Sequence, residues 1–571
     1  MHRHSEQAKH KLNNKSSLVQ RKSERQAIFK FALSSASGGA GEGKYNLNIH
    51  SWLAHKVPHI LINHHKTTSL LLGLLLILAL PPFYFYPFAI VAFSLFFWLI
   101  NRIEGIKKIC ASGYFFGFGF FAGGLYWIGN ALLIDIARTG WLYPLTLFLN
   151  GAFFGIFTIL PALGGASKKI RSLTARMLLF SALWGFSAEW VRSWFFSGFP
   201  WNPLSSILLF DINAAQALSI FGTYGLSAIT ALALIFPARF LLDKTKLNLA
   251  LSVLVMLGFP LGLMIYGASV IPSSTAKQDT ISVRLVQPSL KQTADWSRER
   301  AEKEFAEHLN LSRISKKEKA PDFIIWGETA SPFDLTYDRE HTEKLKQILP
   351  ENSYLITGML RREFEPNGYD YKLYNSLALI DDNAQVVDLY SKNHLVPFGE
   401  YIPFRSILPS FIRPVTNMVA EFGKGEKYQT ITAENFPTFA PLICYEIIFS
   451  DNIVRKNNNL KWIILLTFDG WYGDSTGPYQ HLAAAQMRAI EEGISIVRSA
   501  NSGISAVISG YGEIYAKLDL NERGVLDAKV PLDTAHKTLF GRYGNLIMWI
   551  ILSIFTAVAA AFETTVKLIK K

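Results

Sequence analysis

The sequence predicts a two-part chain: a multi-span α-helical membrane domain followed by an external α/β layered domain. Three observations carry that expectation. Half of the 571 residues are hydrophobic, but the apolar content is concentrated between about residues 68 and 271. Residues 273–537 have the composition of an ordinary globular domain and alternate strand-like with helix-like segments. Basic loops alternate with neutral ones along the apolar half, the charge bias of a multi-pass membrane protein.

A helix needs about 20 apolar residues to cross the hydrocarbon layer. Eight segments are candidates, some of them short: 69–84, 88–100, 113–133, 141–163, 177–196, 214–241, 249–271 and 546–562. The loops 101–108, 167–176 and 239–246, the leading arm and the closing "KLIKK" are all basic, which places both termini in the cytoplasm. The seventh span then exits to the opposite face and the eighth returns, so the soluble stretch lies outside. The expected divisions are a basic arm (1–67), a transmembrane domain of about seven helices (68–272), an external α/β domain (273–537) and a terminal helix with a basic tail (543–571).

The net charge of +13 invites a nucleic-acid reading, but 11 basic and 3 acidic residues sit before Thr68. That arm contains "SSASGGAGEGK", which cannot build a core and is expected to be disordered. Beside a membrane, such an arm reads as a topology signal or a contact with anionic lipid, not as a nucleic-acid binder. Its histidines lack ligand spacing, so no metal is expected. No cleavable signal peptide is expected either, because the apolar segment starts late and further spans follow.

Within the external part, "ISVRLVQ", "FIIW", "YLITG", "SLALID", "VVDLY", "APLICY", "WIILLT", "ISIVRSA" and "ISAVISG" read as strands. Residues 295–316 and 480–493 read as helices, the second ending on a glycine cap. Continuous apolar strands separated by helices indicate buried sheets in layers. Three polar residues follow strands: Glu328 after "FIIWG", Lys392 after "VVDLYS" and Cys444 after "FAPLI". Singly, each has an ordinary explanation as a cap neighbour, a solvated charge or a packed thiol. Together, an acid, an amine and a thiol on rigid strand ends form a chemical constellation. Cys110 follows a cytoplasmic loop while Cys444 lies outside, so the two cannot pair. A lone thiol in an oxidising compartment is a candidate for reactivity.

"WGE" (326–328), "YSKNHLVPFGEYIPF" (390–404) and "ICYE" (443–446) resemble the Glu–Lys–Cys signature of the nitrilase, or carbon–nitrogen hydrolase, superfamily. With the attached spans, "GYFFGFGFFAGGLYWIGNAL", "EWVRSWFFSGFPW", "WYGDSTGPYQHLAAAQMRAIE" and "RSANSGISAVI", the chain resembles the bacterial apolipoprotein N-acyltransferase family from about Leu70 onward. The resemblance implies an αββα nitrilase-like sandwich in a multi-pass protein of the bacterial inner membrane, its catalytic domain periplasmic. It implies a two-step reaction. A phospholipid, often phosphatidylethanolamine, gives its sn-1 acyl chain to Cys444, and the amine of a diacylglyceryl-cysteine on an apolipoprotein then takes it. Glu328 would be the general base and Lys392 the oxyanion stabiliser, supported by Glu400 and Glu446. Trp296 and Tyr445 are further candidates for lining the acyl or acceptor site. No cofactor is expected.

The chain departs from the family in two places. It reads Thr467-Phe468-Asp469-Gly470-Trp471 where members have Ser-Asn-Asp before Trp-Phe/Tyr-Gly, and its basic arm has no counterpart. Two rivals remain. A membrane-tethered amidase would use the same three residues, and a transporter would need ionisable groups lining a path. Glu189 and Arg192, near an external end, are among the few charges in the spans.

Overall fold

A computed structural model describes residues 49–272, 279–293, 295, 297–313, 319–366, 370–409, 414, 421–426, 428–451, 460–532 and 538–569, with side chains from Lys56 onward. The arm expected to be disordered lies outside them up to residue 48. Two compact units divide after Ile60. The described part of the first is helical from Ile49, and the second, from Leu61, holds the apolar helices and the sheets.

Among the described residues four helices are long and apolar enough to cross a membrane: Ile136–Gly165, Leu218–Leu242, Lys246–Val270 and Leu546–Ile569. The number rises to six if each of two bent pairs is one span, one pair being Ile106–Gly124 with Tyr126–Leu133. The other expected spans are helical but short or broken. Tyr86–Arg102 has 17 residues, and Leu173–Leu183 gives way to a π-turn at Trp184–Trp190. Glycines let the helices approach closely. A Cβ on Gly117 would meet Thr158 Oγ1 at 2.2 Å and one on Gly113 would meet Ala162 Cβ at 2.8 Å. Small residues serve this purpose where lipid removes the hydrophobic drive for association.

The π-turn carries a buried ion pair that shapes the following loop. Arg192 Nη2 donates to Glu189 Oε2 at 3.1 Å, and Arg192 Nη1 donates to the carbonyls of Phe199 at 2.6 Å and Trp201 at 2.8 Å. Glu189 Oε1 also accepts from Trp184 Nε1 and the Leu204 amide. The two charges satisfy each other and the backbone, which is the condition for burying them. Their product is the loop around Ser197–Trp201, which faces the sheets.

Among the described residues eleven strands follow: β1 (Thr280–Gln287), β2 (Phe323–Trp326), β3 (Tyr354–Phe364), β4 (Tyr371–Ile380), β5 (Val386–Ser391), β6 (Phe439–Ile443), β7 (Trp462–Thr467), β8 (Ser495–Ala500), β9 (Ser505–Ile508), β10 (Ile514–Leu518) and β11 (Gly524–Pro531). They form a six-stranded sheet, β11-β1-β2-β3-β4-β5, and a five-stranded sheet, β10-β9-β8-β7-β6. In the first sheet β1, β2 and β3 run parallel, with β11, β4 and β5 added antiparallel; in the second β6, β7 and β8 run parallel, with β9 and β10 antiparallel. Val283, Leu285, Ile325 and Ile356 of the first sheet and Ile443, Ile464, Leu466 and Val497 of the second share one core between the sheets. Helix Arg298–Ser312, capped by Ser297, covers the outer face of the first sheet through Phe305. It starts and ends inside the expected 295–316. Helix Gly477–Glu492 covers the second sheet and ends on Gly493 in the left-handed region, as the glycine cap requires.

That second helix layer differs from the first. Its core, with Leu442, Ile463, Leu465, Met487 and Ile490, is continuous with Leu80, Phe121, Trp127 and Trp201 of the apolar helices and loops. The sandwich is thus αββα, with one helical layer seated on the membrane part. β10 and β11 do not appear among the strands expected from sequence. Both are half-exposed margin strands, so neither shows the continuous apolar run of a buried strand.

Candidate active site

Cys444 begins a short 3₁₀ turn directly after β6, with φ at +51°. A non-glycine residue in that region is strained, and such strain persists where surrounding contacts hold it. Two sets of contacts do. Glu446 Oε2 accepts from the Ile443 amide at 2.8 Å, while its Oε1 accepts from Tyr390 Oη at 2.8 Å and from the amides of Asn393 at 2.7 Å and His394 at 3.0 Å. On the other side, His481 Nε2 lies 3.1 Å from the Cys444 carbonyl. Glu446 therefore ties the cysteine turn to the chain that leaves β5, the segment bearing Lys392.

Lys392 directly follows β5, and Glu328 stands one glycine beyond β2. Lys392 Nζ donates to Glu400 Oε1 at 2.9 Å and to Glu328 Oε1 at 3.4 Å. Asn375, on β4, donates through Nδ2 to the same two oxygens at 3.2 and 2.8 Å. Glu400 Oε2 is occupied by the Val396 amide at 2.8 Å. Among the described residues the side-chain hydrogen bonds of Glu328 all fall on Oε1, leaving Oε2 unengaged. Gly327 permits the close approach of the two sheets here, since a Cβ on it would meet the Asn501 amide at 2.3 Å. All five carboxylate, ammonium and thiol groups are buried: Glu328, Lys392, Glu400, Cys444 and Glu446.

Burial, followed by the Glu328 charge, pushes the Cys444 thiol up to about 12 against the opposing pull of Lys392. The resting sulfur is therefore protonated at neutral pH. Burial works against the Lys392 ammonium, but Glu400, Glu328 and the cysteine sulfur outweigh it and hold its pKa above the ordinary value. Lys392 stays charged. Glu446 is pushed up to about 7 by burial, against the donors that surround it.

The turn also rests on the membrane part. Tyr445 Oη donates to the Gly198 carbonyl at 2.6 Å, and its ring stacks on Phe199 with centroids 5.9 Å apart. His394 Nε2 donates to the Ser197 carbonyl at 2.8 Å, its pKa lowered to about 4 chiefly by burial. Behind the cysteine lies a second charged cluster. Asp469 Oδ2 accepts from Arg498 Nη2 at 2.6 Å, and its Oδ1 faces His481 Nδ1 at 2.9 Å and accepts from Thr467 Oγ1 at 2.9 Å. Burial opposes ionisation of Asp469, but Arg498 and His481 hold it down at about 2.

The structure thus brings Glu328, Lys392, Cys444, Glu400 and Glu446 together. It seats Tyr445 against the membrane loop, and Trp296 lies outside the described residues. Sequence reasoning missed Asn375, Asp469, Tyr472, His481 and Arg498 as site residues. Asn375 announced itself only as an amide beside an apolar strand. The others lay inside motifs noted for resemblance, but without assigned roles. The departure at Phe468 has a local partner: a Cβ on Gly470 would lie 2.6 Å from the Phe468 ring, so the large and the small residue go together.

A Glu–Lys–Cys set on strand ends of an αββα sandwich defines a carbon–nitrogen hydrolase domain, and the "Carbon-nitrogen hydrolase" family model matches residues 282–538. The model described as "Apolipoprotein N-acyltransferase N-terminal domain" matches residues 72–236. The chain belongs to the apolipoprotein N-acyltransferase family. It is 35% identical over 495 residues to the apolipoprotein N-acyltransferase of Rhodopseudomonas palustris, covering 84% of this chain and 91% of that one. It is 34% identical over 489 residues to that of Rickettsia prowazekii, covering 85% and 95%. Among solved structures it is similar to the amidase from Nesterenkonia sp. AN1, at 16% identity and a TM-score of 0.33, covering 47% of this chain and 95% of that chain.

Proposed function

We propose that this chain moves an acyl group from a membrane phospholipid to the N-terminal amine of S-diacylglyceryl-cysteine on apolipoproteins, through a thioester on Cys444. The observation that carries the reading is the seating of the nucleophile. The residue after Cys444 and a residue of the lysine segment both bond to the loop that Glu189 and Arg192 hold at the end of a membrane helix. A site built on that loop suits substrates whose chains stay in lipid, because each CH₂ withdrawn to water would cost about 0.8 kcal/mol.

In the first step Glu328 takes the thiol proton as Sγ bonds to the ester carbonyl carbon. Lys392 stabilises the oxyanion as a fixed charge in a dry pocket. The carbon–oxygen bond breaks, and the lysophospholipid oxygen leaves with the proton from Glu328. In the second step the lipoprotein amine attacks the thioester and gives its proton to Glu328. The carbon–sulfur bond breaks, and the sulfur recovers the proton. A thioester holds the acyl group in a form an amine can take.

The protein is proposed to sit in the bacterial inner membrane with about eight crossings, the shorter helix Tyr86–Arg102 and the π-interrupted segment counting among them. The basic loops support cytoplasmic termini and a periplasmic catalytic domain. A tethered amidase would use the same three residues, but a simple tether gives no reason for the nucleophile turn to be built on a membrane loop. The test is N-acylation of a diacylated lipopeptide in vesicles by Cys444→Ala. Loss of activity by at least about 10³-fold, with thermal stability retained, is expected. Acylation at the wild-type rate would remove the reading.

A further inference from the structure

One side chain that touches the nucleophile has no part in the mechanism above. The hydroxyl of Tyr472 lies 3.8 Å from Cys444 Sγ, within range of a hydrogen bond to sulfur. Among the described residues it is the only partner of that hydroxyl. The tyrosine is held there from several directions. Its ring packs against Trp127 at 4.5 Å and Trp201 at 5.7 Å between centroids, and its carbonyl accepts from Asn130 Nδ2 at 2.6 Å. The indole N–H groups of Trp127 and Trp201 both donate to Gln480 Oε1, at 2.9 and 3.0 Å, which fixes the clamp itself. Trp127, Asn130 and Trp201 all belong to the membrane part, so that part aims a phenol at the sulfur.

The geometry points to Tyr472 as a catalytic residue that donates a hydrogen bond to the Cys444 sulfur when negative charge returns to it in the acyl-transfer step. The inference rests on the thioester reading. In that step the nitrogen–carbon bond forms, the carbon–sulfur bond breaks, and its electron pair passes to Sγ. The amine proton goes to Glu328 and then to sulfur, while the phenol keeps its own proton. It can do so because burial first, and the neighbouring sulfur next, hold the Tyr472 pKa well above the ordinary value. The same donor favours the thiolate in the first step but makes it a weaker nucleophile, and the two effects partly cancel. The contribution therefore falls mainly on the second step.

The test is Tyr472→Phe in the full-length protein in detergent. Enzyme is loaded with a phospholipid donor, quenched for intact mass, and chased with a diacylated lipopeptide. A hydrogen bond to a charged atom corresponds to about tenfold or more in rate. The variant should therefore reach the wild-type extent of Cys444 thioester but lose it about tenfold more slowly in the chase. Formation itself should stay within about threefold. An equal chase half-life, or failure of the variant to form a thioester that wild type forms, overturns the inference. If wild type forms no thioester, the acyl-transfer reading fails instead, and alkylation of Cys444 by iodoacetamide at pH 9 decides for Tyr472. Reaction about threefold slower in Tyr472→Phe supports the hydrogen bond, and an equal or faster rate excludes it.

Discussion

Two buried acid–cation clusters flank Cys444, and they are built differently. In front are Glu328 and Glu400 around Lys392. Behind are Asp469 with Arg498 and His481. In the rear cluster each carboxylate oxygen is engaged by a side chain, and the Asp469 amide donates to the Ser502 carbonyl at 2.7 Å. The front cluster sets two carboxylates against one ammonium and keeps Glu328 Oε2 out of the hydrogen-bond scheme. The rear cluster engages both Asp469 oxygens and, through His481, helps hold a strained backbone in place, whereas the front one keeps an excess negative charge and an available oxygen. On the proposed mechanism, that asymmetry distinguishes charges that would do chemistry from charges that hold shape.

The largest effect that could break this comparison belongs to the front cluster. Glu328→Gln should keep the fold, because Asn375 can still donate to the remaining oxygen, but should lower N-acylation by about 10²- to 10⁴-fold. The check is kcat together with the melting temperature. A large loss of stability would place Glu328 with the shape-holding charges. Next comes the rear cluster. Asp469→Asn leaves Arg498 buried without its partner and should destabilise the protein by about 3–5 kcal/mol. Activity per folded molecule should fall less than in Glu328→Gln, measured by denaturant unfolding beside the acylation assay.

The pH dependence sharpens the same point. Asp469 titrates near 2 in the folded protein, against 3.8 ordinarily. The unfolded chain binds its proton first on acidification. The stabilisation is therefore complete above about pH 4 and is lost as pH falls toward 2, amounting to about 2 kcal/mol. Asp469→Asn should flatten that part of the stability profile. The smallest expected effect is at the family departure. Gly470→Ala forces a methyl into the Phe468 ring and should cost about 1–3 kcal/mol. Phe468→Leu in the same chain should recover part of it, as read from the melting temperature.

The front cluster was legible in the sequence and the rear one was not, for a physical reason. Glu328, Lys392 and Cys444 each stand at the end of an apolar run, so the strand pattern exposes them one by one. Asp469, His481 and Arg498 sit in a turn, a helix and a strand, where each passes for an ordinary polar residue until the sheet order brings them together. The layered architecture was legible in the buried strands β2, β6 and β7, whose apolar runs are unbroken. It was not legible in β10 and β11, where one face meets water. The apolar segments are largely helical, several of them short or broken. Sequence hydropathy did not show that Leu173–Leu183 would run into a π-turn at Trp184–Trp190, where the Glu189–Arg192 pair sits.

The most direct test of the account is the intact mass of full-length protein mixed with phospholipid and quenched in acid. One added acyl group is expected, mapped to Cys444, removed by hydroxylamine and transferred on addition of a diacylated lipopeptide. Formation of N-acylated lipopeptide while Cys444 never carries the acyl group would contradict it.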